Sequence, residues 1–134
     1  MMEQARRRWF VVVVSVILGV GLSAQALRAV ERISIDELKA LIAAKSVVIV
    51  DVRTEPEFRN GHIPGAININ YVDIMGQAER LAHEKRAIVA YCACANEMTA
   101  ARAAVDLAAR GVPGVKALEG GWDGWVERKE AIEK

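Results

Sequence analysis

From Val47 to Val52 the chain reads Val-Val-Ile-Val-Asp-Val, an apolar, β-branched run with no polar alternation. Such a strand must be buried on both faces, which is the habit of a parallel sheet covered by helices on each side. A second run of this kind spans Ala87–Tyr91, and Ala66–Ile69 and Val115–Leu118 read as shorter strands. The segments between them carry helical signals. Ser34 is an N-cap with Glu37 in capping-box position, and Ile33 and Leu38 are spaced as a hydrophobic staple. Leu38, Leu41 and Ile42 form the apolar stripe of that helix, with Lys45 in its last turn. Residues 72–82 and Thr99–Arg110 are predicted to be helical, the latter ending at Gly111. Gly120-Gly121 turns into a last helix with Trp122, Trp125 and Val126 inward. Alternating strands and helices predict an α/β layered fold with a mostly parallel sheet.

The hydrophobic 53% is concentrated at the start. Arg6, Arg7 and Arg8 precede an apolar run from Trp9 through Leu22, followed by Ser23-Ala24-Gln25-Ala26. This is the order of a secretory signal, cleaved after Ala26, or of an uncleaved anchor over residues 9–27 that tethers the domain to a membrane. Either way the basic cluster stays inside and the rest is exported. The predicted organisation is therefore a signal peptide or anchor over 1–26 and one domain over 27–134. Its expected location is the periplasm, free or facing it from the inner membrane. Residues 1–26 hold three Arg and one Glu, so of 18 basic and 17 acidic residues the domain keeps 15 and 16. That balance removes the electrostatic case for nucleic-acid binding.

Two cysteines are too few for a disulfide framework, and zinc-type Cys/His pairs are absent from the sequence. Strand Ala87–Tyr91 runs directly into Cys92-Ala93-Cys94-Ala95-Asn96-Glu97-Met98, and then a helix begins. A thiol in that loop meets backbone N–H groups and the positive end of a helix dipole, which favour the nucleophilic thiolate. Cys92, flush with the strand, also reads as a small buried hydrophobe.

The stretch Asp51-Val52-Arg53 … Glu57-Phe58 … Gly61-His62-Ile63-Pro64-Gly65-Ala66-Ile67-Asn68 resembles the first signature of the rhodanese family. Tyr91-Cys92, an Ala-rich helix, Arg110-Gly111 and Leu118-Glu119-Gly120-Gly121-Trp122 match its later parts, so the resemblance covers about residues 31–128. It implies a three-layer fold with a parallel sheet flanked by helices. It also implies a sulfurtransferase that carries sulfur as a cysteine persulfide, with a thiosulfate or mercaptopyruvate-like donor and a thiol or cyanide acceptor, and no metal or organic cofactor. The family's six-residue loop, counted from Cys94, is Cys94-Ala95-Asn96-Glu97-Met98-Thr99, which keeps a family-like distance to Gly111. Cys94 is thus the implied nucleophile, with Cys92 as the alternative. Ala95, Asn96, Glu97, Met98 and Thr99 are the implied binding loop, their N–H groups forming an anion nest.

The loop departs from the family in having no basic residue, and Thr99 at its sixth position looks mercaptopyruvate-type. Glu97 brings a negative charge, either opposing anionic donors or bonding the loop itself. Asp51 and Arg53 are expected to support neighbouring loops through charge-assisted bonds. Glu57 is expected to partner an Arg, and His62 to fix a turn. Two other classes compete: a non-catalytic binding or sulfur-carrier module, and a Cys92/Cys94 thiol-disulfide protein. Against the last stands the strain expected of a disulfide across one residue.

Overall fold

The computed structural model describes residues 24–134. Five strands form one sheet in the order β1-β5-β4-β2-β3: β1 Arg32–Ile33, β2 Val47–Asp51, β3 Ile67–Asn68, β4 Ala87–Tyr91 and β5 Lys116–Leu118. Every pairing in it is parallel, with Asp51 level with Tyr91 where β2 and β4 end. The helices are α1 Ile35–Ala43, α2 Glu55–Asn60, α3 Ala78–Ala82, α4 Met98–Ala109 and α5 Gly121–Glu127. A 3-10 segment, Tyr71–Gln77, leads into α3.

The period of two in β2 and β4 divides the core into two layers. Val50, Ile88 and Ala90 face Ile74, Leu81 and the alanines of α4 on one side. Ile49, Val89 and Tyr91 face Leu38, Ile63 and Trp125 on the other. The expected α/β sheet between two helical layers is therefore the observed architecture. Ala100 and Ala103 are fully buried, so small side chains let α4 lie close against the sheet.

The Ser34–Glu37 capping box is present at α1. Lys45 lies beyond the end of α1 with φ 52° rather than in its last turn. Helix α2 and strand β1 were not foreseen. A second capping box, Thr54 with Glu57, starts α2, and Pro56 fits its first turn. Glu57 is thus engaged by the Thr54 N–H and hydroxyl rather than by an arginine. Val126 is 46% exposed instead of inward, because Trp125 takes the buried position of α5.

The expected signal or anchor over 1–26, and most of the proposed 9–27 tether, lie outside the described residues. Within them, residues 24–29 are helical, and no helix is long and apolar enough to cross a membrane.

Candidate active site

The carboxyl ends of β2 and β4 carry the charged and sulfur-bearing groups together. Asp51, the last residue of β2, is fully buried and forms an ion pair with Arg53. The Arg53 Nη2 donates to Asp51 Oδ2 at 2.5 Å and to the Gly61 carbonyl at 2.8 Å, and the Arg53 N–H donates to Asp51 Oδ1 at 2.9 Å. The guanidinium also lies 4.4 Å from the Trp122 ring centroid and 5.6 Å from that of Tyr91. Burial works against its charge, but the bonds to Asp51 outweigh burial and raise its pKa. Asn68 Nδ2 donates to the carbonyls of Asp51 and Arg53, tying β3 to the same turn. This network fixes the turn after β2, which forms one wall of a cleft of about 250 Å³.

Burial, and after it the Asp51 charge, raise the pKa of Tyr91, so its phenol stays protonated. Its hydroxyl accepts from the Ile63 N–H at 3.2 Å. The His62 Nδ1 lies 3.0 Å from the Phe58 carbonyl and its ring stacks on Phe58 at 3.7 Å, a turn-fixing arrangement.

Opposite that turn, the chain leaves β4 at Cys92. Cys92 is 3% exposed, and its carbonyl accepts the Trp122 N–H at 2.9 Å. A Cβ on Gly121 would sit 2.2 Å from that carbonyl oxygen, so α5 can begin here only with glycine, which also tolerates φ 52°. Cys94 is half-buried, and its Sγ accepts the Thr99 N–H at 3.3 Å in the first turn of α4. Cys92, Ala93, Cys94 and Thr99 line the cleft with Arg53, Tyr71 and Val72.

Between Cys94 and Thr99 the loop makes one tight turn. Asn96 and Glu97 both hold left-handed backbone, φ 55° and 54°, while Ala95 and Asn96 face solvent. The N–H groups of Glu97 and Met98 donate to the carbonyls of Cys94 and Ala95, so they belong to the turn itself. Of the expected nest, the Thr99 N–H is the donor directed at sulfur. The Met98 side chain is 56% exposed. The Glu97 carboxylate accepts the Gly120 N–H at 2.8 Å and lies 4.0 Å from Arg32. It thereby clamps the loop to the start of α5, and its charge faces a cation on β1.

The two cysteines form a disulfide, with Cα atoms 5.6 Å apart. The bond thus spans a single intervening residue. Cys92 follows an extended strand and Cys94 is extended at φ −120°, ψ 152°, so residues two apart project to the same side. The Cα separation is an ordinary one for a disulfide. The sequence signal for it is the Cys92-Ala93-Cys94 spacing at a strand end, from which a thiol-disulfide pair is one of the competing readings. Among the described residues no cluster of three or more His, Cys, Asp or Glu side chains could hold a metal ion.

Residues 34–128 match the family model of the Rhodanese-like domain. The chain is 35% identical over 100 residues to the thiosulfate sulfurtransferase GlpE of Shewanella oneidensis, covering 72% of this chain and 93% of that protein. It is 34% identical over 89 residues to the 3-mercaptopyruvate sulfurtransferase of Escherichia coli, covering 56% of this chain and 31% of that protein. The solved human single-domain sulfurtransferase TSTD1 superposes with a TM-score of 0.62 at 26% identity, over 77% of this chain and all of that one. The parallel sheet, the loop that joins β4 to α4 and these relatives agree: the chain belongs to the rhodanese-like domain family, among sulfurtransferase homologues.

Proposed function

We propose that this domain is a sulfurtransferase that moves a sulfane sulfur from a small-molecule donor to a thiol or cyanide acceptor through a persulfide on Cys94. The observation that carries the reading is the position of the Cys94 Sγ, which lines the cleft and accepts a backbone N–H from the first turn of the twelve-residue α4. A helix N-terminus and a fixed N–H both stabilise a thiolate. In the reduced protein that thiolate attacks the transferable sulfur of the donor, and the remainder of the donor leaves with the bonding electron pair. The acceptor then attacks the outer sulfur and regenerates the thiolate. The names of the relatives point to thiosulfate and 3-mercaptopyruvate as donor classes. With no basic side chain between Cys94 and Thr99, the less charged, mercaptopyruvate-like donor is the better match. Export through residues 1–26 belongs to the same proposal and puts the domain in the periplasm, free or tethered.

The test is mass spectrometry of the reduced chain after donor treatment. A gain of one sulfur on the peptide that contains Cys94 is expected; no gain with either donor class overturns the reading. The Cys92–Cys94 bond favours a second reading, a protein that only exchanges thiols and disulfides. Disulfide-reductase activity without any sulfur uptake would select it.

A further inference from the structure

Cys92 has no part in the transfer just proposed, yet its sulfur is bonded to the sulfur that would perform it. We infer that Cys92 is a resolving thiol: it attacks the Cys94 persulfide, expels the carried sulfur as hydrosulfide and leaves the Cys92–Cys94 disulfide, which an external dithiol reductant reopens. The inference rests on the persulfide reading of Cys94 and names a product and a partner class for the same site.

The geometry supplies each part. Cα atoms 5.6 Å apart let the two sulfurs meet on the backbone as it stands. Cys92 is held in place, because its carbonyl bonds the Trp122 N–H and Gly121 packs against that carbonyl. At 3% exposure its thiol is closed to solvent and to bulky acceptors, so its accessible electrophile is the neighbouring Cys94 sulfur. Two groups held in this way react at a high effective concentration. Cys94, half-buried in the cleft, is the side of the disulfide a reductant can reach.

In the resolving step a bond forms between the Sγ atoms of Cys92 and Cys94. The bond from Cys94 Sγ to the outer sulfur breaks, and that sulfur leaves with the electron pair. It takes up the proton given up by Cys92. The two cysteine sulfurs lose two electrons and the sulfane sulfur gains two. A dithiol then attacks Cys94, and its second thiol resolves the mixed disulfide, which returns both cysteines to the reduced state. The sum is sulfane donor plus dithiol giving the desulfurated donor (sulfite, where the donor is thiosulfate), sulfide and the oxidised dithiol.

The experiment uses the full chain, reduced and freed of reductant, and excess thiosulfate, which carries no thiol of its own. Released sulfide, remaining protein thiols and intact mass are followed together without oxygen. The wild type is expected to release one sulfide per chain and lose both thiols, whereas Cys92→Ser keeps one sulfur on Cys94 and releases sulfide at least about tenfold more slowly. Cys92→Ala provides the same comparison should serine disturb the buried site. Equal retention of sulfur by wild type and both variants overturns the role of Cys92 alone. Failure of all three to take up sulfur from thiosulfate and, in a parallel run, from 3-mercaptopyruvate overturns the persulfide reading, and the resolving role with it.

Discussion

Replacing Asp51 with Ala tests the buried pair that shapes the cleft. Asp51 is fully buried and Arg53 is 7% exposed, so the substitution leaves a guanidinium charge inside the protein without its counter-ion. Arg53 cannot escape by deprotonation. Removing one member of a buried pair costs about 3–5 kcal/mol. Arg53 would keep the Gly61 carbonyl and the faces of Trp122 and Tyr91, and cation–π contacts of this kind return about 0.5–2 kcal/mol. The expected loss is therefore near the lower end, about 3 kcal/mol. For a domain of this size that is a fall in Tm of roughly 12–24 °C. Urea unfolding followed by tryptophan fluorescence reads it directly, since Trp122 lies against the guanidinium. Arg53→Met should be at least as damaging, because it strands the Asp51 carboxylate. The double variant Asp51→Ala/Arg53→Met should lose less than the two singles added together. A loss below about 1 kcal/mol in Asp51→Ala would refute the assignment of this pair as the support of the turn.

Cys94→Ser should abolish sulfur uptake and transfer with every donor; retained turnover would show that another nucleophile carries the sulfur. Thr99→Arg puts a cation at the cleft and should lower the thiosulfate KM by about tenfold, the worth of one charge-assisted hydrogen bond; steady-state rates against donor concentration decide, and an unchanged KM would refute it. Gly121→Ala sets a Cβ against the Cys92 carbonyl in left-handed backbone, and a loss of more than about 2 kcal/mol is expected in the same urea assay; a neutral result would mean α5 can shift freely. Both tyrosines have raised pKa values, Tyr91 from burial and then the Asp51 charge, Tyr71 from burial and then its bond to Asp106. Folding thus favours their protonated forms, so stability holds below about pH 10 and falls as pH rises beyond it. Tyr91 should give tyrosinate absorbance only as the protein unfolds, and Tyr71 only above the ordinary tyrosine range; ionisation of either near pH 10 in the folded state would contradict this.

The sheet was legible because β2 and β4 are continuous apolar runs, a pattern that only burial on both faces explains. The Ser34–Glu37 cap and the alanine face of α4 were legible for the same reason: their signals lie within a few residues of one another. The loop that carries Cys94 could be placed at a strand end from local sequence. Helix α2 was hidden, because Thr54 and Glu57 sit inside a stretch that reads as a turn-rich motif. Contacts across the fold had no local trace. Glu97 read equally as a charge opposing the donor or as a bond to its own loop, whereas it bonds Gly120, twenty-three residues away, and faces Arg32. Gly121 read as a turn glycine, while its real constraint is the Cys92 carbonyl against which α5 packs. The sequence alone determined the layered α/β class, the alternation of its longer strands and helices and the sulfur-bearing loop, since periodicity and caps act over short range. Only the tertiary structure decided which way Glu97 points, what closes over Cys92 and that the two sulfurs meet, because each depends on segments brought together by the packed sheet.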